Sequence, residues 1–89
     1  MVRLMVRHQV KDYAAWRKVY EDFAATRQGM GVTAAAVFQS VDDPNDVTVT
    51  HDFATAEAAK AFAGSGELRS AMENAGVAAP PTIWFLNEA

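Results

Sequence analysis

The first ten positions of the chain alternate between apolar and polar side chains. A period of two is typical of a strand with one buried face. We therefore predict a first strand over Val2–Val10, ended by Lys11 and Asp12. One face of this strand carries Val2, Leu4, Val6 and His8, and the other carries Arg3, Met5 and Arg7.

A helical period of three and four residues follows the first strand. Large side chains recur in one stripe from Tyr13 to Arg27, which predicts a helix over residues 13–28. Asp12 is suited to cap its start, and Gly29 and Gly31 are suited to end it. The stripe consists of Tyr13, Trp16, Tyr20, Phe23 and Arg27. We interpret it as core between helix and sheet, although its phenol groups could also reach a pocket.

The remainder of the chain reads as a hairpin, a divided helical region and a last strand. The turn signal at residues 42–46 joins strands predicted over residues 32–41 and 47–53. Thr55 is suited to cap a helix over residues 56–63. The further elements are an interruption at 64–66, a short helix at 67–74 closed by Gly76, a linker at 79–81 and a strand at 82–86.

The element order is βαββαβ, so the expected fold class is α+β. We predict one ferredoxin-like domain over residues 1–89, with a four-stranded antiparallel sheet and both helical regions on one face. We also expect the first and third strands to be adjacent and parallel. The two rows that end in His8 and His51 would then place both imidazoles side by side at one mouth of the sheet.

Two strands are apolar on both faces, which predicts a partner for the open face of the sheet. Residues 32–38 and 83–86 offer no polar side for water. At roughly 25 cal/mol per Å² of apolar area, exposing either pair of alternate side chains in 83–86 would forfeit several kcal/mol. A homodimer that packs sheet against sheet into an α/β barrel is therefore favoured over a monomer with a moderately apolar exposed face.

Composition narrows the classes of function. The chain has no Cys and only two His, which excludes disulfides and a closed zinc site built from this chain alone. The net charge of −3 and the absence of a basic run argue against nucleic-acid binding. No stretch has the length of a membrane span and the first residues do not form a signal peptide, so we expect a cytoplasmic protein without membrane attachment.

The candidate catalytic residues are the two histidines. An imidazole has an ordinary pKa near 6.5 and can exchange protons at neutral pH. His51 and His8 could therefore bind or deprotonate a phenolic or enolic ligand. The alternative is two structural histidines at strand ends, hydrogen-bonded or solvated.

Three further residues are candidate ligand-binding residues: Trp84, Arg7 and Tyr13. Trp84 is either dimer core or one wall of an aromatic pocket. Arg7, like Arg3, either receives an acidic group from a ligand or from a partner subunit, or is solvated at the rim of the sheet. The Tyr13 hydroxyl could face a pocket instead of completing the core.

The chain resembles the dimeric α/β-barrel superfamily and, within it, the antibiotic-biosynthesis-monooxygenase-like proteins. The resemblance rests on residues 10–16, the hairpin at 43–45, and the segments 48–63, 66–72 and 75–77 before Pro80 and Pro81. It implies a homodimer in which each subunit has a pocket between sheet and helices. The related activities include cofactor-free oxygenation of aromatic polyketides, haem degradation, cyclisation and lactone isomerisation.

The resemblance does not extend to the haem-degrading branch. Those enzymes have a Trp at the position of Phe62 and a haem-ligating His at the position of Met72. Methionine is in principle a haem ligand but is also a common apolar filler. We therefore expect no cofactor and no metal. The hypotheses are a cofactor-independent monooxygenase or cyclase for an aromatic, polyketide-like molecule, a non-catalytic binder of a small hydrophobic ligand, or a purely structural dimerisation domain.

Overall fold

A computed structural model describes all residues from 1 to 89 and contains four strands and four helices. The expected alternation of strands and helical regions is present. In chain order the elements are β1 Val2–Gln9, α1 Tyr13–Asp22, α2 Ala24–Gly29, β2 Ala34–Gln39, β3 Asp46–Phe53, α3 Ala56–Ala63, α4 Gly66–Asn74 and β4 Thr82–Asn87.

The four strands form one sheet in the order β2-β3-β1-β4, and every neighbouring pair is antiparallel. This is the predicted ferredoxin-like α+β fold. The prediction that the first and third strands run parallel is wrong. Helices α1 and α2 connect β1 to β2 so that these two strands point in the same direction. The hairpin then reverses the chain, so β3, which lies between β2 and β1, is antiparallel to both.

The first helical region is two helices and not the single helix predicted. Phe23 separates α1 from α2, and its N–H contacts the carbonyls of both Val19 and Tyr20. The Tyr20 carbonyl also accepts a hydrogen bond from the Arg27 guanidinium. A side chain that occupies a helix carbonyl in this way is a recognised cause of a break.

The helix starts are capped as the sequence indicates. The Asp12 carboxylate accepts from the Ala15 N–H at 3.1 Å, and the Thr55 hydroxyl accepts from the Ala58 N–H at 3.2 Å. Each contact satisfies one of the N–H groups left without a partner in a first helical turn.

Gly31 and Gly76 have φ values of 94° and 75°, where a side chain would be strained.

One face of the sheet packs against the helices. Val2, Leu4, Val6 and His8 on β1 are buried on this face, as are Val47, Val49, His51 and Phe53 on β3. The core consists of two clusters. Phe53 and Phe62 lie in the first, and Trp16 lies in the second. The alternation of apolar and polar residues in the first strand therefore matches the alternation of buried and more exposed side chains along β1.

The other face of the sheet is open. Phe38, Trp84 and Leu86 are 57%, 40% and 39% exposed, and the register aligns Trp84 with Met5 and Leu86 with Arg3. Dimerisation through this face stays a prediction. The second strand is shorter than the predicted 32–41. None of the helices has the length and apolar character needed to cross a membrane.

Candidate functional site

A small cavity lies between the helix-facing side of the sheet and helices α1, α2 and α4. Its volume is about 50 Å³, and ten of its thirteen lining residues are hydrophobic. Val6 and Val49, paired across β1 and β3, lie at its floor. The titratable groups on its lining are His8, His51, Arg27 and Tyr20. The cavity is therefore apolar except for a few groups that can hydrogen-bond or carry charge.

Both histidines predicted as catalytic line this cavity, but they do not lie side by side. The antiparallel register pairs Leu4 with His51 and His8 with Val47, so four positions separate the two residues along the strands. At ~3.4 Å per residue this is about 14 Å along the strands. The expectation that two imidazoles meet at one mouth of the sheet is wrong because it assumed parallel strands.

The two imidazoles are buried and lack partners. His8 is 6% exposed and His51 is 5% exposed. Both ring nitrogens of His8 and the Nδ1 of His51 are buried with no hydrogen-bond partner. Most buried polar atoms in proteins are hydrogen-bonded, and an unmet donor or acceptor costs ~1–3 kcal/mol. These nitrogens are therefore free to bond a molecule that enters the cavity.

Burial keeps both imidazoles neutral. Burial lowers the pKa of His8 below its ordinary value. The pKa of His51 falls further, to about 4, because the positive charge of Arg27 adds to the effect of burial and outweighs the opposing effect of Asp52. The two histidines therefore differ in basicity, with His51 the weaker base.

Arg27 is a buried cation without a carboxylate partner. It is 8% exposed, and its only side-chain hydrogen bond goes to the carbonyl oxygen of Tyr20. The guanidinium carbon lies 3.9 Å from the centre of the Tyr20 ring, a cation–π contact. In the sequence Arg27 belongs to the aromatic stripe, and the pattern alone predicts no role for it. A cation on an otherwise apolar helical stripe was the signal that could have singled it out.

Aromatic side chains form the helical wall of the cavity. Trp16 stacks on Tyr20 with ring centres 5.1 Å apart, and its centre lies 5.7 Å from that of His8. Tyr13 stacks on the other side of Trp16, at 5.8 Å, and is outside the cavity lining. The first part of the predicted stripe is therefore an aromatic stack, of which Trp16 and Tyr20 reach the site.

The other candidate residues belong to the open face. Arg7 pairs with Asp46 through two contacts of 3.0 and 2.6 Å, and Arg3 pairs with Asp52 at 2.8 and 3.2 Å. Trp84 lies on the same face and does not line the cavity. Any ligand bound by Arg7 or Trp84 would therefore occupy a different site from one bound by the histidines.

The residues at the haem-related positions do not form a haem site. Phe62 is fully buried in the core, 5.0 Å from the His51 ring centre, and Met72 lines the cavity. No group of three or more His, Cys, Asp or Glu side chains is arranged to hold a metal ion.

The sequence matches one protein family over most of its length. The family model described as "antibiotic biosynthesis monooxygenase" matches residues 1–74. None of the curated proteins has a significant match to the chain. The match covers β1 to α4, and therefore includes every strand and helix that lines the cavity.

Solved structures have the same fold. A protein from Bordetella bronchiseptica, provisionally assigned as an antibiotic biosynthesis monooxygenase, has a TM-score of 0.85 at 15% identity, covering 99% of this chain and 96% of its own. A Caulobacter crescentus protein with the same provisional assignment has a TM-score of 0.79 at 20% identity, covering 99% and 89%. A Nitrosomonas europaea protein of unknown function has a TM-score of 0.76 at 22% identity, covering 96% and 85%. At these identities the likeness establishes the fold alone.

Proposed function

Because the chain belongs to the antibiotic biosynthesis monooxygenase family, we propose that it oxygenates a small phenolic or enolic aromatic molecule without a cofactor. The observation that carries this proposal is a pair of buried imidazoles that line one apolar cavity and have ring nitrogens without hydrogen-bond partners. A neutral imidazole has a free nitrogen lone pair and can accept a proton from a weak acid. The proposed site residues are His8 and His51.

The two histidines have different roles in this proposal. His8, whose pKa is lowered by burial alone, accepts the proton that the substrate loses. His51 stays neutral beside Arg27 and donates an N–H hydrogen bond to the substrate oxygen. Environments that drive two similar groups apart in pKa commonly mark such a division of labour.

The reaction needs no external reductant. Loss of a proton gives a carbanion or enolate, which reduces O₂ and combines with it to form a hydroperoxide at the same carbon. Loss of water from this hydroperoxide leaves a carbonyl. A ring CH₂ and O₂ thus become C=O and H₂O, and the substrate supplies all the electrons that the second oxygen atom takes up.

Ligand entry in this proposal requires the cavity to expand. Its volume of about 50 Å³ is below the ~150 Å³ of a cavity known to bind benzene. Helix α4 lies over the cavity, and none of its residues 66–74 is fully buried. Leu68 and Met72 extend from α4 into the lining and have several rotamers. Outward displacement of α4 therefore opens the site at a small loss of buried area.

The open face of the sheet is the proposed dimer interface. Exposed apolar side chains stand on both edge strands, Phe38 on β2 and Trp84 and Leu86 on β4, and they flank the Arg3–Asp52 and Arg7–Asp46 ion pairs of the two central strands. Because each arginine already has a carboxylate within its own chain, a second copy covers this face mainly by apolar packing.

The small cavity also supports a second candidate function, that of a structural dimerisation domain without a ligand. In that case the interior is simply core, and the histidines are two tolerated buried groups. The two functions differ in whether a ligand binds and turns over.

Turnover of an anthrone under air, followed by the visible absorbance of the quinone product, tests the proposal. Replacing His8 by Gln keeps a polar side chain but removes the base, and we expect the rate to fall by ~10²–10⁴-fold. Lys18→Met, on the exposed side of α1, is the control and should leave the rate unchanged. Quinone formation no faster than in buffer, for anthrones and quinols alike, would contradict the proposal and favour the structural function.

A further inference from the structure

Arg27 is the one arginine of five that is both buried and without a carboxylate partner. Arg3, Arg7 and Arg17 each form an ion pair with an Asp or Glu. Arg69 has no ion pair but is exposed, whereas Arg27 is the most buried of the five and has no carboxylate partner. Burying an unpaired cation is costly in a protein interior, and such charges normally have an anionic partner.

The cavity lining contains no residue that could neutralise this charge. No Asp or Glu is among its thirteen residues. One guanidinium N–H is occupied by the Tyr20 carbonyl, and the tyrosine ring lies against the planar group. A guanidinium has five N–H donors, so further donors remain for a second acceptor. The neutral His51 imidazole lines the same cavity, and burial together with the positive charge of Arg27 lowers the pKa of His51.

We infer that Arg27 is the anion-binding residue of this cavity and that the ligand is a planar aromatic molecule held through an ionised phenol or enol oxygen. This inference rests on the proposed function and adds the charge state of the ligand. The guanidinium supplies the positive charge, His51 supplies a second donor, and the aromatic wall at Trp16 and Tyr20 packs on the ring. Aromatic molecules of the same size without an acidic oxygen are therefore poor ligands.

The inference predicts a shift in the pKa of a bound phenol. The probe is 4-nitrophenol, whose ionised form absorbs visible light and whose neutral form does not. An opposite charge nearby lowers the pKa of an acid by about one to three units. In the presence of saturating protein, the pKa of 4-nitrophenol should therefore fall by at least one unit, while 4-nitroanisole, which has no acidic oxygen, binds at least ten-fold more weakly.

Matched variants separate charge from structure. Arg27→Gln removes the charge but keeps an N–H donor for the Tyr20 carbonyl, and Arg27→Met keeps only the volume. Both should return the pKa of bound 4-nitrophenol to its value in buffer. Lys18→Met removes an equal charge from an exposed position on α1 and should keep the lowered pKa. Circular dichroism spectra identify any variant that does not fold.

Three results would overturn the inference. The first is a lowered pKa of the bound phenol that persists in Arg27→Gln. The second is equal affinity of the wild-type protein for 4-nitrophenol and 4-nitroanisole, which would leave the proposed ligand pocket intact but assign no anion-binding role to Arg27. The third is no binding of either probe, which would remove the proposed pocket as well.

Discussion

The unusual pKa of His51 predicts that the protein loses stability in mild acid. The ordinary pKa of 6.5 applies to the unfolded chain, and in the folded protein this value falls to about 4. Between these two values the unfolded chain binds more protons than the folded one. The free energy of unfolding is therefore highest above pH 6.5, decreases as the pH drops from 6.5 to about 4, and levels off below about pH 4.

The size of this effect follows from the two pKa values. At ~1.4 kcal/mol per pH unit, the free energy of unfolding should fall by about 2 kcal/mol between pH 7 and pH 5, and by about 3 kcal/mol at pH 4. His8 adds to the loss, since burial lowers its pKa too. The carboxylates of Asp46 and Asp52 have pKa values lowered by their arginine partners, so they affect stability only in stronger acid.

Urea unfolding at several pH values, at one fixed protein concentration, measures this dependence. In His51→Leu, which has a similar volume and no titrating group, the fall between pH 7 and pH 5 should shrink by about 2 kcal/mol. His8→Leu should remove a smaller part, and the double variant should be nearly independent of pH in this range. The reasoning is refuted if His51→Leu and the wild-type protein lose stability in parallel.

Three further predictions concern the open face and α4. Trp84→Asp places a charge on the exposed apolar face. Analytical ultracentrifugation should show this variant as a monomer and the wild-type protein as a dimer. A wild-type protein that is monomeric at micromolar concentration would contradict the proposed interface. Met72→Ala should lower the free energy of unfolding in urea by about 1–3 kcal/mol, since this side chain is only partly buried. The same variant should bind 4-nitrophenol more tightly in a spectroscopic titration because its cavity is larger, and weaker binding would argue against entry beneath α4.

The fold could be predicted from the sequence because its signals are local. The alternation in β1, the caps at Asp12 and Thr55, and the turn at residues 42–46 each act over a few residues and agree with one another. The break at Phe23 could not be predicted in the same way. It accompanies a hydrogen bond from Arg27 to a carbonyl seven residues earlier, which depends on how the side chain is packed.

The candidate site was only partly predictable. The sequence placed His8 and His51 on apolar rows, and both are buried on the same face of the sheet. Their separation depends on strand direction, which no local pattern specifies. The role of Arg27 depends on the absence of any carboxylate around the cavity, which is a property of the tertiary structure.

The central claim is that a phenolic ligand occupies the cavity between the sheet and the helices. The two tryptophans allow a direct test, since Trp16 lines this cavity and Trp84 lies on the opposite face. In Trp84→Phe, the fluorescence of Trp16 should be quenched saturably by 4-nitrophenol. Quenching that rises linearly with concentration, or saturable quenching only of Trp84 in Trp16→Phe, would contradict the account.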